Sequence, residues 1–274
     1  MQSPLRIGCV KYLNARPLIR GWNGSVTLDH PAALCDQLAH GELDVALVSS
    51  FEFLRNPVYR IVDGVSISST GPVYSVFVAH RGPISEIEEI ELDPASATSV
   101  NLLRCLLAES RLAPRLVTRS TSSGVGTRVL TRGKDLRLGT AASTAHRAFL
   151  LIGDQAIRFR QEYGGEFKFW DLGEQWQHLA GLPFVYALWL VRPEVVGTRA
   201  IGDCLRALRD ENLANLDRLV AEEKEFDHDF CLRYYREHLR LNLGEEAKEG
   251  LRIFQGLCEK QGLLPKRKIE FNFV

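Results

Sequence analysis

Short apolar runs alternate with helix-patterned stretches from the N-terminus to about residue 190, and few folds satisfy that alternation. The first run, Leu5-Arg6-Ile7-Gly8-Cys9-Val10, reads as a buried strand. It leads into Tyr12-Leu13-Asn14-Ala15-Arg16-Pro17-Leu18, where the Pro cannot continue a sheet. Asp29-His30-Pro31 starts a helix with Pro at its first position, an apolar face of Leu34, Leu38 and Ala39, and Gly41 at its end. Further strands are expected at 43–48, 59–62, 73–79, 87–92, 116–117, 148–152, 167–170 and 184–191. Helices are expected from Phe51, from Ser96 through Leu107, at Trp176–Leu179 and around Val129. After Pro193 every segment reads as helix, at 199–223, 227–239 and 245–261, with apolar residues three and four apart.

Strand–helix alternation predicts mostly parallel sheets. Two such units joined by two extended crossings predict a two-lobed α/β chain with C-terminal helices, of the type II periplasmic-binding-protein-like class. The expected lobes are residues 1–84 with 188–274, and residues 85–187, with the site in the cleft between them. A chain of 274 residues with 45% hydrophobic content buries a core of that size.

Composition narrows the partners. Lys plus Arg and Asp plus Glu are equal at 34 each, which argues against nucleic acid or a membrane surface as partner. No apolar stretch reaches the length of a membrane span, and no signal-peptide pattern opens the chain, so a cytoplasmic location is expected. Cys9, Cys35, Cys105, Cys204, Cys231 and Cys258 are widely spaced and form no CxxC pair, as expected of reduced thiols. The seven histidines show no HExxH spacing, so no metal site is expected. Oligomeric state leaves no mark in the sequence.

Several polar residues sit where an α/β fold binds ligands, at the carboxyl ends of strands. Asn14 and Arg16 follow the first strand, and an amide with a cation suits an anionic small molecule. Arg16 equally suits a structural ion pair, and Lys11 has a weaker claim of the same kind. Ser49 and Ser50 end a buried strand, where they either cap the next helix or touch a ligand. Ser96, Thr98 and Ser99 stand at a helix start, whose free N–H groups attract anions even if the hydroxyls only cap. Asp154 follows Gly153 at another strand end and reads either as a helix cap or as a cleft acid. Gly124-Val125-Gly126-Thr127 is a weak anion-nest pattern. Trp170, Trp176 and Trp189 read as core aromatics.

Six short segments, in order, resemble the chorismate dehydratase family, which opens the futalosine route to menaquinone. They are Tyr12-Leu13-Asn14-Ala15-Arg16-Pro17-Leu18, Gly41 through Val48, Gly71-Pro72-Val73-Tyr74-Ser75-Val76, Ser96-Ala97-Thr98-Ser99-Val100, Leu151-Ile152-Gly153-Asp154-Gln155-Ala156, and Asp171-Leu172-Gly173-Glu174-Gln175-Trp176 with Gly181 through Val185. The resemblance implies a cofactor-free hydro-lyase whose substrate is chorismate and whose product is 3-[(1-carboxyvinyl)oxy]benzoate. It implies that Asn14 and Ser75 are the catalytic side chains, orienting the substrate and polarising the departing hydroxyl. It implies that the substrate's own enolpyruvyl carboxylate takes the proton. Arg16, Ser49, Ser50, Gly71, Ser96, Thr98, Ser99, Gly153 and Asp154 form the expected substrate-binding set. Two departures stand out: Ala97 replaces the Arg usual in the family, and residues 131–145 are extra. A non-catalytic solute receptor of the same fold is the competing reading.

Overall fold

The computed structural model describes residues 4–118 and 146–274. The first lobe is a sheet of β1 (Ile7–Val10), β2 (Val26–Asp29), β3 (Val45–Ser49), β4 (Arg60–Ser69) and β10 (Phe184–Val191), in the order β2-β1-β3-β10-β4. The second lobe is a sheet of β5 (Val76–His80), β6 (Glu89–Leu92), β7 (Arg115–Thr118), β8 (Arg147–Ile152) and β9 (Lys168–Asp171), in the order β7-β6-β8-β5-β9. β1 pairs parallel with β2 and β3, whereas β10 runs antiparallel to both β3 and β4. β6 pairs parallel with β7 and β8, whereas β5 runs antiparallel to β8 and β9. Four strands of each sheet therefore share a direction, and the reversed strand is the one that has just crossed from the other lobe.

That arrangement moves the lobe boundaries from those expected. β5 lies wholly in the second sheet, so the first crossing is at 70–75 rather than 84. β10 joins the first sheet at Phe184, a few residues before the expected 188. Both partners of β5 come later in the chain, so no local signal assigns it to its sheet.

Strands buried on both faces were the ones with continuous apolar runs. β1, β3, β5 and β10 are buried along their whole length. β2 is an edge strand with Leu28 57% exposed, and its segment carried no strand pattern. β4 extends to Ser69 because Ser66 and Ser68, though polar, donate their hydroxyls to the carbonyls of Asn242 and Arg240. The helix Gly153–Tyr163 starts before the expected Gln155, so Asp154 lies in its first turn and does not cap it.

Four C-terminal helices, Thr198–Ala214, Leu216–Ala221, His228–Arg233 and Glu245–Lys260, pack on this frame. Phe254 of the last one sets its ring 5.0 Å from Phe184 and 6.2 Å from Trp176. Trp176 and Trp189 are fully buried core residues, and Trp170 is partly buried against the same core. All six cysteines are free thiols. No described helix is long and apolar enough to cross a membrane. Among the described residues no group of His, Cys, Asp and Glu is arranged to hold a metal ion.

Candidate active site

The carboxyl ends of β1, β3 and β8 meet around a cavity of about 50 Å³. Its wall includes Tyr12 and Asn14 after β1, Ser49 at the end of β3, Ser75 in the first crossing, Ser96 and Ser99 at a helix start, Gly153 after β8, and Tyr186 of β10. Pockets that hold drug-sized ligands run to roughly 300–1,000 Å³. A ring-sized ligand therefore needs the lobes to part. Two larger depressions, of about 530 and 750 Å³, lie elsewhere on the first lobe. None of their lining residues carries a buried unpartnered polar atom or an expected site role.

No residue lining the cavity is charged. Its chemistry is that of hydroxyls, one amide and backbone groups. Asn14 sits in a short turn, Leu13–Ala15, held from two sides: Leu13 N–H donates to Asp154 Oδ1 at 2.8 Å, and Tyr235 O–H donates to Leu13 O at 2.8 Å. The Asn14 Oδ1 atom is buried and has no hydrogen-bond partner. A buried acceptor left unpaired costs roughly 1–3 kcal/mol, so it is a place where a ligand donor gains most. Ser75 is fully buried, and its hydroxyl accepts from Tyr234 O–H at 2.7 Å.

The hydroxyls of the first sheet and the second-lobe helix Ala97–Glu109 cap each other. Ser49 Oγ accepts from Thr98 N–H at 2.9 Å, and Thr98 Oγ1 accepts from Phe51 N–H at 3.0 Å. Ser50 donates to Val185 O at 2.7 Å. Ser96 caps its own helix by accepting from Ser99 N–H. Thus Ser49, Ser96 and Ser99 reach the cavity, while Ser50 and Thr98 are consumed in structural bonds behind it. Ala97 is partly buried on the first turn of that helix.

Three other expected contacts fall outside the wall. Arg16 forms an ion pair with the buried Glu223, which fixes the first-strand turn to the C-terminal helices. Asp154 spends an oxygen on the Leu13 N–H and so ties the lobes together; burial pushes its carboxyl up from the ordinary range, opposed by that N–H and by Arg16. Gly71 turns the crossing with φ of +80°, and its carbonyl would lie 2.5 Å from any Cβ placed on Gly173, so two glycines let the two crossings touch. The Gly124–Thr127 pattern, the helix expected around Val129 and residues 131–145 lie outside the described residues.

Asp171, Tyr12 and Tyr186 were not among the site residues expected from sequence. Asp171 caps the helix Leu172–Ala180, and its two oxygens also accept from Val73 N–H at 3.0 Å and Tyr74 N–H at 2.8 Å. It thereby sets the crossing that carries Ser75. Burial raises its carboxyl, opposed by these N–H groups and by Arg160. The Asp-Leu-Gly-Glu spacing is a legible capping pattern, but the crossing it grips is not local. Tyr12 donates to or accepts from His30 Nδ1 at 3.0 Å, and burial lowers the His30 imidazole. Tyr186 pairs with Ser69 at 3.3 Å.

Gly153 has φ of +60°, and a Cβ there would meet the Tyr12 ring at 2.9 Å. Gly153→Ala is expected to cost about 2 kcal/mol, through backbone strain and displacement of that ring. A drop of roughly 4–8 °C in the thermal midpoint checks it. An unchanged midpoint would show that Tyr12 gives way freely.

Comparison with known proteins adds to this geometry. A family model described as menaquinone biosynthesis matches residues 5–260. A chorismate dehydratase of Thermus thermophilus is 31% identical over 271 residues, covering 92% of this chain and 94% of that protein. A crystal structure of a protein from Archaeoglobus fulgidus superposes with a TM-score of 0.70 at 16% identity, covering 95% of this chain and 98% of that one. The periplasmic aliphatic sulphonate binding protein SsuA of Escherichia coli gives 0.62 at 14% identity, covering 96% and 95%. At such identities the two structures speak for the fold alone, which is that of the periplasmic binding proteins.

Proposed function

Because the chain belongs to the chorismate dehydratase family of menaquinone biosynthesis, we propose that it removes water from chorismate to give 3-[(1-carboxyvinyl)oxy]benzoate. The observation that carries this reading is Asn14, which lines the cavity together with Ser75 and whose buried Oδ1 has no hydrogen-bond partner. Chorismate presents a departing ring hydroxyl, which both donates and accepts. An amide oxygen and a serine O–H match those two needs.

The reaction is an elimination that makes the ring aromatic. The ring carbon bearing the enolpyruvyl ether loses its proton, and the neighbouring carbon loses its hydroxyl. Asn14 accepts from that hydroxyl and orients it; Ser75 donates to its oxygen as negative charge develops there. No lining side chain is a good base near neutral pH. The enolpyruvyl carboxylate of the substrate, held close to the ring, takes the proton, and proton and hydroxide leave as water. Ser49, Ser96 and Ser99 meet the carboxylates as neutral hydroxyl donors, the first-turn N–H groups of Thr98 and Ser99 being taken up by Ser49 and Ser96. Gly153 makes room for the Tyr12 ring, which forms part of the same wall.

Purified protein mixed with chorismate is expected to produce the enolpyruvyl benzoate, detected by chromatography and by loss of the mass of water. Binding without turnover would favour the solute-receptor reading. Neither binding nor turnover would sink both.

A further inference from the structure

We propose that Tyr234 is a positioning residue for Ser75, fixing the serine proton toward the cavity so that it meets the departing hydroxyl; this rests on the dehydration proposed above. Tyr234 is 1% exposed and lies on a π-helical turn, Tyr234–His238, in the C-terminal region. Such turns are rare and concentrate at functional positions. Its O–H donates to Ser75 Oγ at 2.7 Å, and Ser75 Oγ has no other hydrogen-bond partner among the described residues.

A serine hydroxyl has one proton and two acceptor sites. With the phenol proton occupying an acceptor site, the serine proton has to point elsewhere. The cavity is what lies on that side, since Ser75 is part of its wall. Without the phenol, Ser75 is free to rotate and its proton is unaimed. Burial pushes the pKa of the Tyr234 phenol up, opposed by its contacts with Ser75 and Asn14, and so keeps it protonated at neutral pH. The Asn14 amide lies beside the same phenol.

The turn grips both candidate catalytic residues. Tyr235, next in sequence, donates to Leu13 O beside Asn14. His238 Nδ1 lies 3.0 Å from Pro72 O in the crossing that carries Ser75. Phe230 stacks on the Tyr234 ring at 5.8 Å with 13° between planes, which fixes the phenol's direction.

The test is a double-mutant cycle on chorismate turnover with wild type, Tyr234→Phe, Ser75→Ala and the double variant. Tyr234→Phe is expected to lower kcat about 10-fold or more with KM within about twofold, because a transition-state donor is lost while binding groups remain. The double variant is expected to be no slower than Ser75→Ala alone. Losses that multiply would overturn the proposal, since Tyr234 would then act independently of Ser75. A wild-type kcat in Tyr234→Phe, or a raised KM with kcat unchanged, would overturn it as well. If Tyr234→Phe alone does not fold, Ser75→Ala against the double variant still decides, because removing both partners leaves no unpaired group. A wild-type protein inactive on chorismate would instead overturn the dehydration, and the role of Tyr234 with it.

Discussion

Asn14→Ala is expected to fold normally and to lose at least about 10²-fold in turnover, as for the loss of one preorganised transition-state hydrogen bond. The fold should survive because no protein group depends on the Asn14 Oδ1 atom, which has no partner. The turn around it is held by neighbouring backbone, through Leu13 N–H on Asp154 and Leu13 O on Tyr235. Removing an orphaned acceptor from a buried site even relieves a desolvation cost. The loss therefore belongs in kcat/KM and not in the thermal midpoint. Steady-state rates beside thermal melts separate the two. Wild-type turnover in this variant would remove Asn14 from the mechanism. A collapsed midpoint would make it a structural residue.

Asp171→Ala should give the largest loss of stability, about 4 kcal/mol, because several buried backbone donors lose their acceptor at once. The carboxylate is 2% exposed and receives the N–H groups of Val73, Tyr74, Gly173 and Glu174. Arg160 stands 3.4 Å away and lays its guanidinium 4.3 Å from the Tyr74 ring centre. Tyr74 itself has φ of +68°, a conformation that needs such outside support. Part of the loss is offset, since burial works against the charged carboxylate. The expected midpoint shift is roughly 10 °C or more. Activity should fall with it, because the crossing from Val73 to Ser75 loses its anchor. Denaturant unfolding measures the first effect and turnover the second. A destabilisation below about 1 kcal/mol would mean that water replaces the carboxylate with little penalty.

The legible parts of this protein were those with local causes. A strand buried on both faces has to be apolar throughout, so β1, β3 and β10 announced themselves. β2 rests half in solvent at a sheet edge, and its residues carried no such mark. Capping chemistry placed the helix start at Ser96, and the structure has Ser96 as its N-cap. The conspicuous charge of the first turn, Arg16, proved to be spent on Glu223. Asn14, with no charge at all, holds the unpartnered atom.

The alternation of strands and helices, the two-lobed architecture and the family were legible in the chain, because periodicity and short motifs are carried by neighbouring residues. Tertiary structure alone decided which of the candidate hydroxyls reach the cavity. Ser49 and Ser50 are adjacent in the chain, yet only Ser49 lines the cavity, while Ser50 is turned onto Val185 O. A hydroxyl's role depends on which partner takes its single proton. Ser75 instead accepts from Tyr234, 159 residues away, and nothing short of the folded chain brings them together.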